Sequence, residues 1–259
     1  MTVSHKDINV ILTHISQGNP ELALCVYYQP IIRLSDGHCT GAEALVRGQA
    51  QGRFVSPENF IGLLEENNDI GKVGIFVLRS AINFARKHRL HQQSDFVLSS
   101  NFSPVEINDC AVVEKIKTIT DAAGYPSHRV MIEITETEIQ LSTQGRKNAK
   151  GLQQHGFIVA WDDIRSHQDL NKNSPEFSSN VIKLDRSLLK EPHLPLTKDI
   201  ISRCLADKFQ LVAEGVEYAW QRDWLLQQNV KVCQGYYYSA PLEPHIFAQR
   251  YLFSCVDLT

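Results

Sequence analysis

Phe157-Ile158-Val159-Ala160-Trp161-Asp162-Asp163 is an apolar run closed by two adjacent acids. Gly156 bounds it on the N-terminal side, and its first five residues read as a buried strand. Successive strand residues point to opposite faces. Asp162 and Asp163 therefore share a site only if the strand ends there and the chain turns. Two neighbouring carboxylates are costly unless a cation or solvent offsets their repulsion. Taken alone, the pair reads equally well as a helix N-cap with a solvated neighbour.

Working outward, the same pattern of an apolar strand ending in a polar residue recurs. Residues 24–32 and 38–46 read as strands joined by the tight-turn pair Asp36-Gly37, which makes them antiparallel neighbours. Pro30 marks an edge or an irregularity in the first of them. Further strands are expected at 96–101, 130–136, 180–185, 210–217 and 230–236, with helical stretches between most of them. Ser56-Pro57-Glu58 and Ser103-Pro104-Val105-Glu106 read as helix starts, with Ser as cap and Pro in the first turn. A short leading helix is expected over residues 7–18. Residues 164–179 are rich in Ser, Asn and Asp and read as a loop. Eight strands alternating with helices predict an α/β chain, a TIM-like (β/α)8 barrel in one domain over residues 1–259.

Composition narrows the function classes. The chain has 259 residues, 43% of them hydrophobic, enough for a sizeable core. The formal charge is −3 and no Lys/Arg cluster stands out, which argues against a nucleic-acid polymer as partner. No apolar run is long enough to span a membrane, and residues 1–19 lack the basic start and apolar core of a signal peptide. The six cysteines are scattered without a C-x-x-C pair and read as the reduced thiols of a cytoplasmic protein. No His/Cys spacing typical of zinc is present.

In a barrel of this kind the site lies at the C-terminal ends of the strands. Those ends carry Glu43, Asn101, Glu133, Asp162, Asp163, Lys183, Glu214, Glu217 and Gln234. Each alone is more often a cap or a solvated end. Clustered acids repel, and burial penalises their charged forms, so a bound hard cation would relieve both. Carboxylate and amide oxygens suit Mg²⁺ or Mn²⁺. Two such ions can hold a phosphodiester and activate water for in-line attack. Lys183 interrupts an apolar strand; either its head escapes to solvent or its ammonium sits among the acids. Arg47 pairs with a carboxylate or meets a ligand phosphate. Tyr236, Tyr237 and Tyr238 read as packing residues rather than base-stacking ones.

Glu43-Ala44-Leu45-Val46-Arg47 resembles the signature of the EAL domain family, cyclic di-GMP phosphodiesterases built on a TIM-like barrel with an antiparallel first strand. It comes in order with Tyr28-Gln29-Pro30-Ile31, Asn101-Phe102-Ser103-Pro104, Glu133-Ile134-Thr135-Glu136, Asp162-Asp163, Ile182-Lys183-Leu184-Asp185-Arg186, Ala213-Glu214-Gly215-Val216-Glu217 and Gln234-Gly235-Tyr236. The resemblance covers nearly the whole chain. It implies that Glu43, Asn101, Glu133 and Asp162 bind a first Mg²⁺ or Mn²⁺, and that Asp162 bridges to a second held with Asp163. It implies that Lys183 contacts the attacking water and that Glu214 is the general base. Gln29, Leu45, Arg47, Glu217 and Gln234 would shape the ligand and water site, and Glu136 would anchor the loop after the Asp pair. The implied reaction opens cyclic di-GMP to linear pGpG, in bacterial signalling that governs biofilm and motility. The implied assembly is a homodimer linked through that loop.

One departure stands against the pattern. Where the family has Phe-Gly-(Thr/Ser)-Gly after the two Asp residues, this chain has Ile164-Arg165-Ser166-His167. Glycine permits backbone angles that Arg165 and His167 would adopt only with strain, so another path is expected. Two other functions follow from this departure. One is a cyclic di-GMP receptor with little or no hydrolysis, and the other is a protein-interaction module.

Overall fold

The computed structural model describes residues 4–93, 95–135, 141–172 and 181–252. Among the described residues nine strands form one sheet: β1 (Leu24–Arg33), β2 (Cys39–Ala50), β3 (Arg53–Val55), β4 (Val97–Phe102), β5 (Val130–Ile134), β6 (Ile158–Ile164), β7 (Val181–Leu184), β8 (Gln210–Ala213) and β9 (Val232–Cys233). Their order is β1-β9-β8-β7-β6-β5-β4-β2-β3, and an additional β1–β2 pairing closes eight of them into a barrel. β3 hangs outside as a hairpin extension of β2. β1 runs antiparallel to both its neighbours, and the pairings from β2 through β9 around the barrel are parallel.

The opening hairpin forms as its turn residues dictate. Gly37 takes φ +72°, and the Asp36 carboxylate accepts the His38 amide. Pro30 lies inside β1, and the pairing with β2 slips just beyond it, between Ile31 and Ile32. Tyr28 pairs not with β9 but with Leu242, downstream of the last strand. Outside the barrel, the helix Ile70–Lys87 turns Val73, Val77, Ala81, Ile82 and Phe84 inward at helical spacing. The helix Thr143–Gln154 is capped by Ser142, which accepts the Gly145 amide. Gly145 fits closely there, and a Cβ would have to displace the Asn108 side-chain oxygen.

Two-residue periodicity builds the inside of the barrel. Ile31, Met131, Ala160, Val181 and Val212 form an apolar floor, with Val97, Ile158 and Val232 packed against it. Two positions further along the same faces, Met131 gives way to Glu133, Ala160 to Asp162, Val181 to Lys183, Val212 to Glu214 and Val232 to Gln234. β1 runs the other way, so Gln29 precedes Ile31 and stands opposite Glu43. The floor is dry and the mouth is polar because each strand changes character at the same height.

Several expectations need correction. β6 does not end at the Asp pair. Trp161 pairs with Ile182 and Ile164 with Leu184, so three steps on β6 oppose two on β7 in a bulge. Asp163 takes the extra step at φ +59°, a conformation Asp tolerates better than most residues. The bulge turns both acids to the mouth without ending the strand. Residues 164–172 are not a loop: Ile164 is buried in β6, and His167–Lys172 is a helix. β3 was not anticipated. β8 and β9 are shorter than expected, which leaves Glu214, Glu217 and Gln234 just past strand ends. Ser56 precedes only a 3-10 turn, Pro57–Asn59, and its side chain makes no cap.

Candidate active site

Lys183 is the hub of the mouth. It is fully buried, and its Nζ lies 2.6 Å from Glu214 Oε1, 2.7 Å from Glu133 Oε2, 3.2 Å from Asp162 Oδ2 and 3.8 Å from Glu43 Oε2. The solvent-seeking alternative for this side chain is excluded. Four carboxylates share one ammonium. Burial would lower the lysine's proton affinity, but Asp162, Glu133, Glu214 and Glu43 more than offset it and hold Lys183 charged.

The amides complete the ring. Gln234 Nε2 donates to Glu43 Oε2 at 2.6 Å and to Glu214 Oε1 at 2.9 Å, and Asn101 Nδ2 donates to Glu43 Oε1 at 2.7 Å. Burial pushes the Glu43 carboxyl up, yet Lys183 and these two donors outweigh it and bring Glu43 below its ordinary value. Glu133 and Glu214 end far above theirs. Burial leads in both, and neighbouring acids add to it against Lys183. Burial likewise raises Asp162, and burial with the Asp162 charge raises Asp163.

These residues fit a hard cation. Asp162, Asp163 and Glu214 each offer a carboxylate oxygen, all within 4.8 Å of one another. Among the described residues Glu133 Oε1 and Gln234 Oε1 are buried without a hydrogen-bond partner, an arrangement costly unless something electropositive faces them. The donors are all oxygen, the chemistry of Mg²⁺ or Mn²⁺.

The remaining sequence candidates are not part of this ring. Gln29 is buried and donates to the Ser239 carbonyl at 3.1 Å. Leu45 and Arg47 line a separate recess of about 290 Å³ together with Asn101 and Thr135. Among the described residues Arg47 pairs with no carboxylate; its Nη1 donates to the Val46 carbonyl at 2.7 Å and its guanidinium lies 5.9 Å from the Tyr27 ring centre. Glu217 is exposed and lines a polar mouth cavity of about 660 Å³ with Asp163, Glu214 and Gln234. Glu136 lies outside the described residues. Tyr236 is not a packing residue: it is 69% exposed and faces the same cavity. Gly215, at φ +65°, packs so closely on Arg186 that any Cβ would overlap it. The turn that presents Glu214 and Glu217 depends on this glycine.

Two side chains at the mouth were missed as candidates. Asp185 is two residues beyond Lys183 on the same face, so alternation alone could have marked it. Arg165 lies between two acids, 3.5 Å from Asp163 Oδ1 and 3.4 Å from Asp185 Oδ1. Neither Arg165 nor His167 has positive φ; the positive angle sits at Asp163. The turn is held instead by Asp169, which accepts the Arg165 amide at 3.0 Å and the Ser166 hydroxyl at 2.8 Å.

A closed α/β barrel with one antiparallel strand and a buried ring of acids around a lysine defines the class. The model of the family described as "EAL domain" matches residues 14–241, and the chain belongs to that family. An uncharacterized protein of Synechocystis is 32% identical over 224 residues, covering 84% of this chain and 32% of that protein. Cyclic di-GMP phosphodiesterase RocR of Pseudomonas aeruginosa is 28% identical over 229 residues, covering 85% of this chain and 58% of its own length. Among solved structures, the EAL domain of Mycobacterium smegmatis DcpA superposes with a TM-score of 0.74 at 28% identity, covering 89% of this chain and 98% of that one. The EAL enzyme Bd1971 in its cAMP-bound form gives 0.84 at 21% identity, over 94% of this chain and 70% of that one, a likeness of fold. The chain thus spans between about a third and somewhat over half of these curated relatives. Among the described residues no helix is long and apolar enough to cross a membrane.

Proposed function

We propose that this chain is a divalent-cation-dependent phosphodiesterase that opens cyclic di-GMP to linear pGpG in the cytoplasm. The observation that carries the reading is the buried Lys183 among Glu43, Glu133, Asp162 and Glu214, topped by oxygens with no partner. A module that only bound a partner protein would gain nothing from this arrangement, which is costly to bury. The names of relatives such as RocR support the same chemistry.

Glu43, Asn101, Glu133 and Asp162 would hold one Mg²⁺ or Mn²⁺, and Asp162 with Asp163 a second. When bound, the cations supply Lewis-acid stabilisation of phosphoryl oxygens and an acidified water. Lys183 would orient the attacking water through its ammonium, whose position is fixed by three carboxylates at 3.2 Å or less. Glu214 would accept the proton; burial, with the Asp162 charge, raises its proton affinity. Gln234 holds Glu214 and Glu43 in register through one amide. Gln29, Leu45, Arg47 and Glu217 form the rim against which the dinucleotide would lie.

One observation favours a second reading, a cyclic di-GMP receptor with little hydrolysis: Asp163 already faces the Arg165 guanidinium. A hydrolysis assay decides between them. The purified protein, with Mg²⁺ or Mn²⁺ and cyclic di-GMP, is expected to yield pGpG by chromatography, excess chelator to abolish it, and Ca²⁺ to inhibit. Saturable nucleotide binding without product formation would establish the receptor.

A further inference from the structure

We infer that Arg165 is a positioning residue that competes with a divalent cation for Asp163 and so sets the affinity of the outer cation position. The inference rests on the proposed cation site and adds what this chain's own sequence does to it.

Three observations meet at one place. Asp163 is turned to the mouth by a bulge at φ +59°, which fixes its backbone independently of any ligand. Its carboxylate belongs to the group that brings oxygens from Asp162, Asp163 and Glu214 within 4.8 Å. The guanidinium of Arg165 stands 3.5 Å from an oxygen of that same carboxylate. Beside this group, the buried oxygens Glu133 Oε1 and Gln234 Oε1 have no hydrogen-bond partner among the described residues, which leaves acceptors free for an electropositive ligand.

The geometry of Arg165 suits a competitor rather than a permanent tie. Its distances to Asp163 and Asp185 exceed hydrogen-bond length, and its side chain is 60% exposed, so yielding Asp163 costs little desolvation. Asp185 is held separately: its carboxylate accepts the Ser187 amide at 2.9 Å. A guanidinium pushed off Asp163 keeps Asp185 as its partner and stays at the rim. Lys190 lines the same cavity but makes no ion pair with Asp163, which makes it the control for the general field of the mouth.

The test is Mn²⁺ binding to the intact protein without nucleotide, read by electron paramagnetic resonance of free Mn²⁺. Wild type is expected to bind one ion tightly and a second weakly. Removing a like charge beside the outer position is worth on the order of tenfold in cation affinity. Arg165→Ala is therefore expected to tighten the second ion about tenfold. Arg165→Lys keeps the charge and stays within about twofold of wild type, as does Lys190→Ala. If Arg165→Ala leaves the second affinity unchanged or weakens it, Arg165 only braces the turn and the inference is overturned. An equal gain from Lys190→Ala also overturns it, because the effect is then a general field. Hydrolysis is measured on the same samples. Absent hydrolysis with the expected Mn²⁺ response sinks the proposed function and leaves this inference standing. No Mn²⁺ bound by any variant removes both.

Discussion

Two buried glutamates, Glu43 in the barrel mouth and Glu106 behind the barrel wall, are driven in opposite directions. Both lose water. Glu43 gains the Lys183 charge and two amide donors, and its carboxyl ends below the ordinary value. Glu106 caps its own helix by accepting the Ser103 amide at 2.9 Å, but its other oxygen is wedged against Gly74, where a Cβ would overlap it. Burial raises the Glu106 carboxyl to about 8, and the charge acting on it from Glu65 adds to the rise. Burial raises a carboxyl, and only where nearby charge and donors outweigh it, as at Glu43, does the acid fall below its ordinary value. The mouth holds Glu43 low among acids that burial raises, and the wall holds Glu106 high.

The largest break in this contrast is expected from Lys183→Met. It leaves Glu43, Glu133, Asp162 and Glu214 facing one another in the dark of the barrel. Removing one partner of a buried ion cluster typically costs about 3–5 kcal/mol. Denaturant unfolding in chelator is expected to show that loss, and Mn²⁺ to restore part of it by taking the ammonium's place. A variant as stable as wild type in chelator shows that the ring does not depend on Lys183.

Glu214→Gln comes next. It removes the proposed base while keeping size and the Gln234 contact region. A general base contributes typically about 10²–10⁴-fold, so kcat should fall by that range with cyclic di-GMP affinity preserved. Steady-state kinetics beside a binding titration separates this from a loss of affinity, which would reassign the residue to ligand binding.

Glu106→Gln sharpens the other side. Glu106 has its folded value raised to about 8, against 4.5 for an ordinary glutamate. Between these pH values the unfolded chain has released the proton and the folded chain retains it. Its contribution therefore favours folding fully at acid pH and is lost as pH rises toward 8. Glutamine preserves the cap and abolishes the slope. The variant should be more stable than wild type by on the order of 4 kcal/mol at pH 8, with the gap closing near pH 4. Parallel melting curves across pH check this, and a pH-independent gap removes the explanation.

The smallest effect is expected from His167→Gly, which restores a family glycine. His167 has no positive φ and faces Asp199 at 2.8 Å on an exposed surface. Glycine has no strain to relieve there and weakens a short helix, so stability should fall by less than about 1 kcal/mol. A clear rise in melting temperature would show a strained turn.

Much of the site was legible because one rule, alternation along a strand, places Glu133, Asp162, Lys183 and Gln234 each two residues past an apolar floor residue. Asp163 broke the rule, since a bulge adds a residue that no pattern announces. The turn after it was misread from composition. Ser166 and Asp169 look like loop residues, yet their spacing is that of a capped helix, and the carboxylate supplies the support expected from glycine. The Thr143–Gln154 helix runs through a glycine for a related reason. Gly145 discourages a helical reading, and only the nearby Asn108 side chain explains it. Such contacts between distant segments leave no trace in local sequence.

The seam of the barrel has a consequence for how the mouth moves. β1 and β9 share only the pairs Ile32–Cys233 and Arg33–Val232, whereas β1 and β2 pair over nearly their whole length. Above those two pairs, Gln29 and Gln234 face the mouth from opposite sides of the joint, with the ladder there replaced by the Tyr28–Leu242 bridge. A cylinder closed by so short a zipper breathes first along that line, because local opening follows the fewest backbone bonds. Amide protons of Ile32 and Cys233 should exchange ahead of those in β5 and β6. The aperture of the polar mouth would then widen and narrow with the fraying of its own staves.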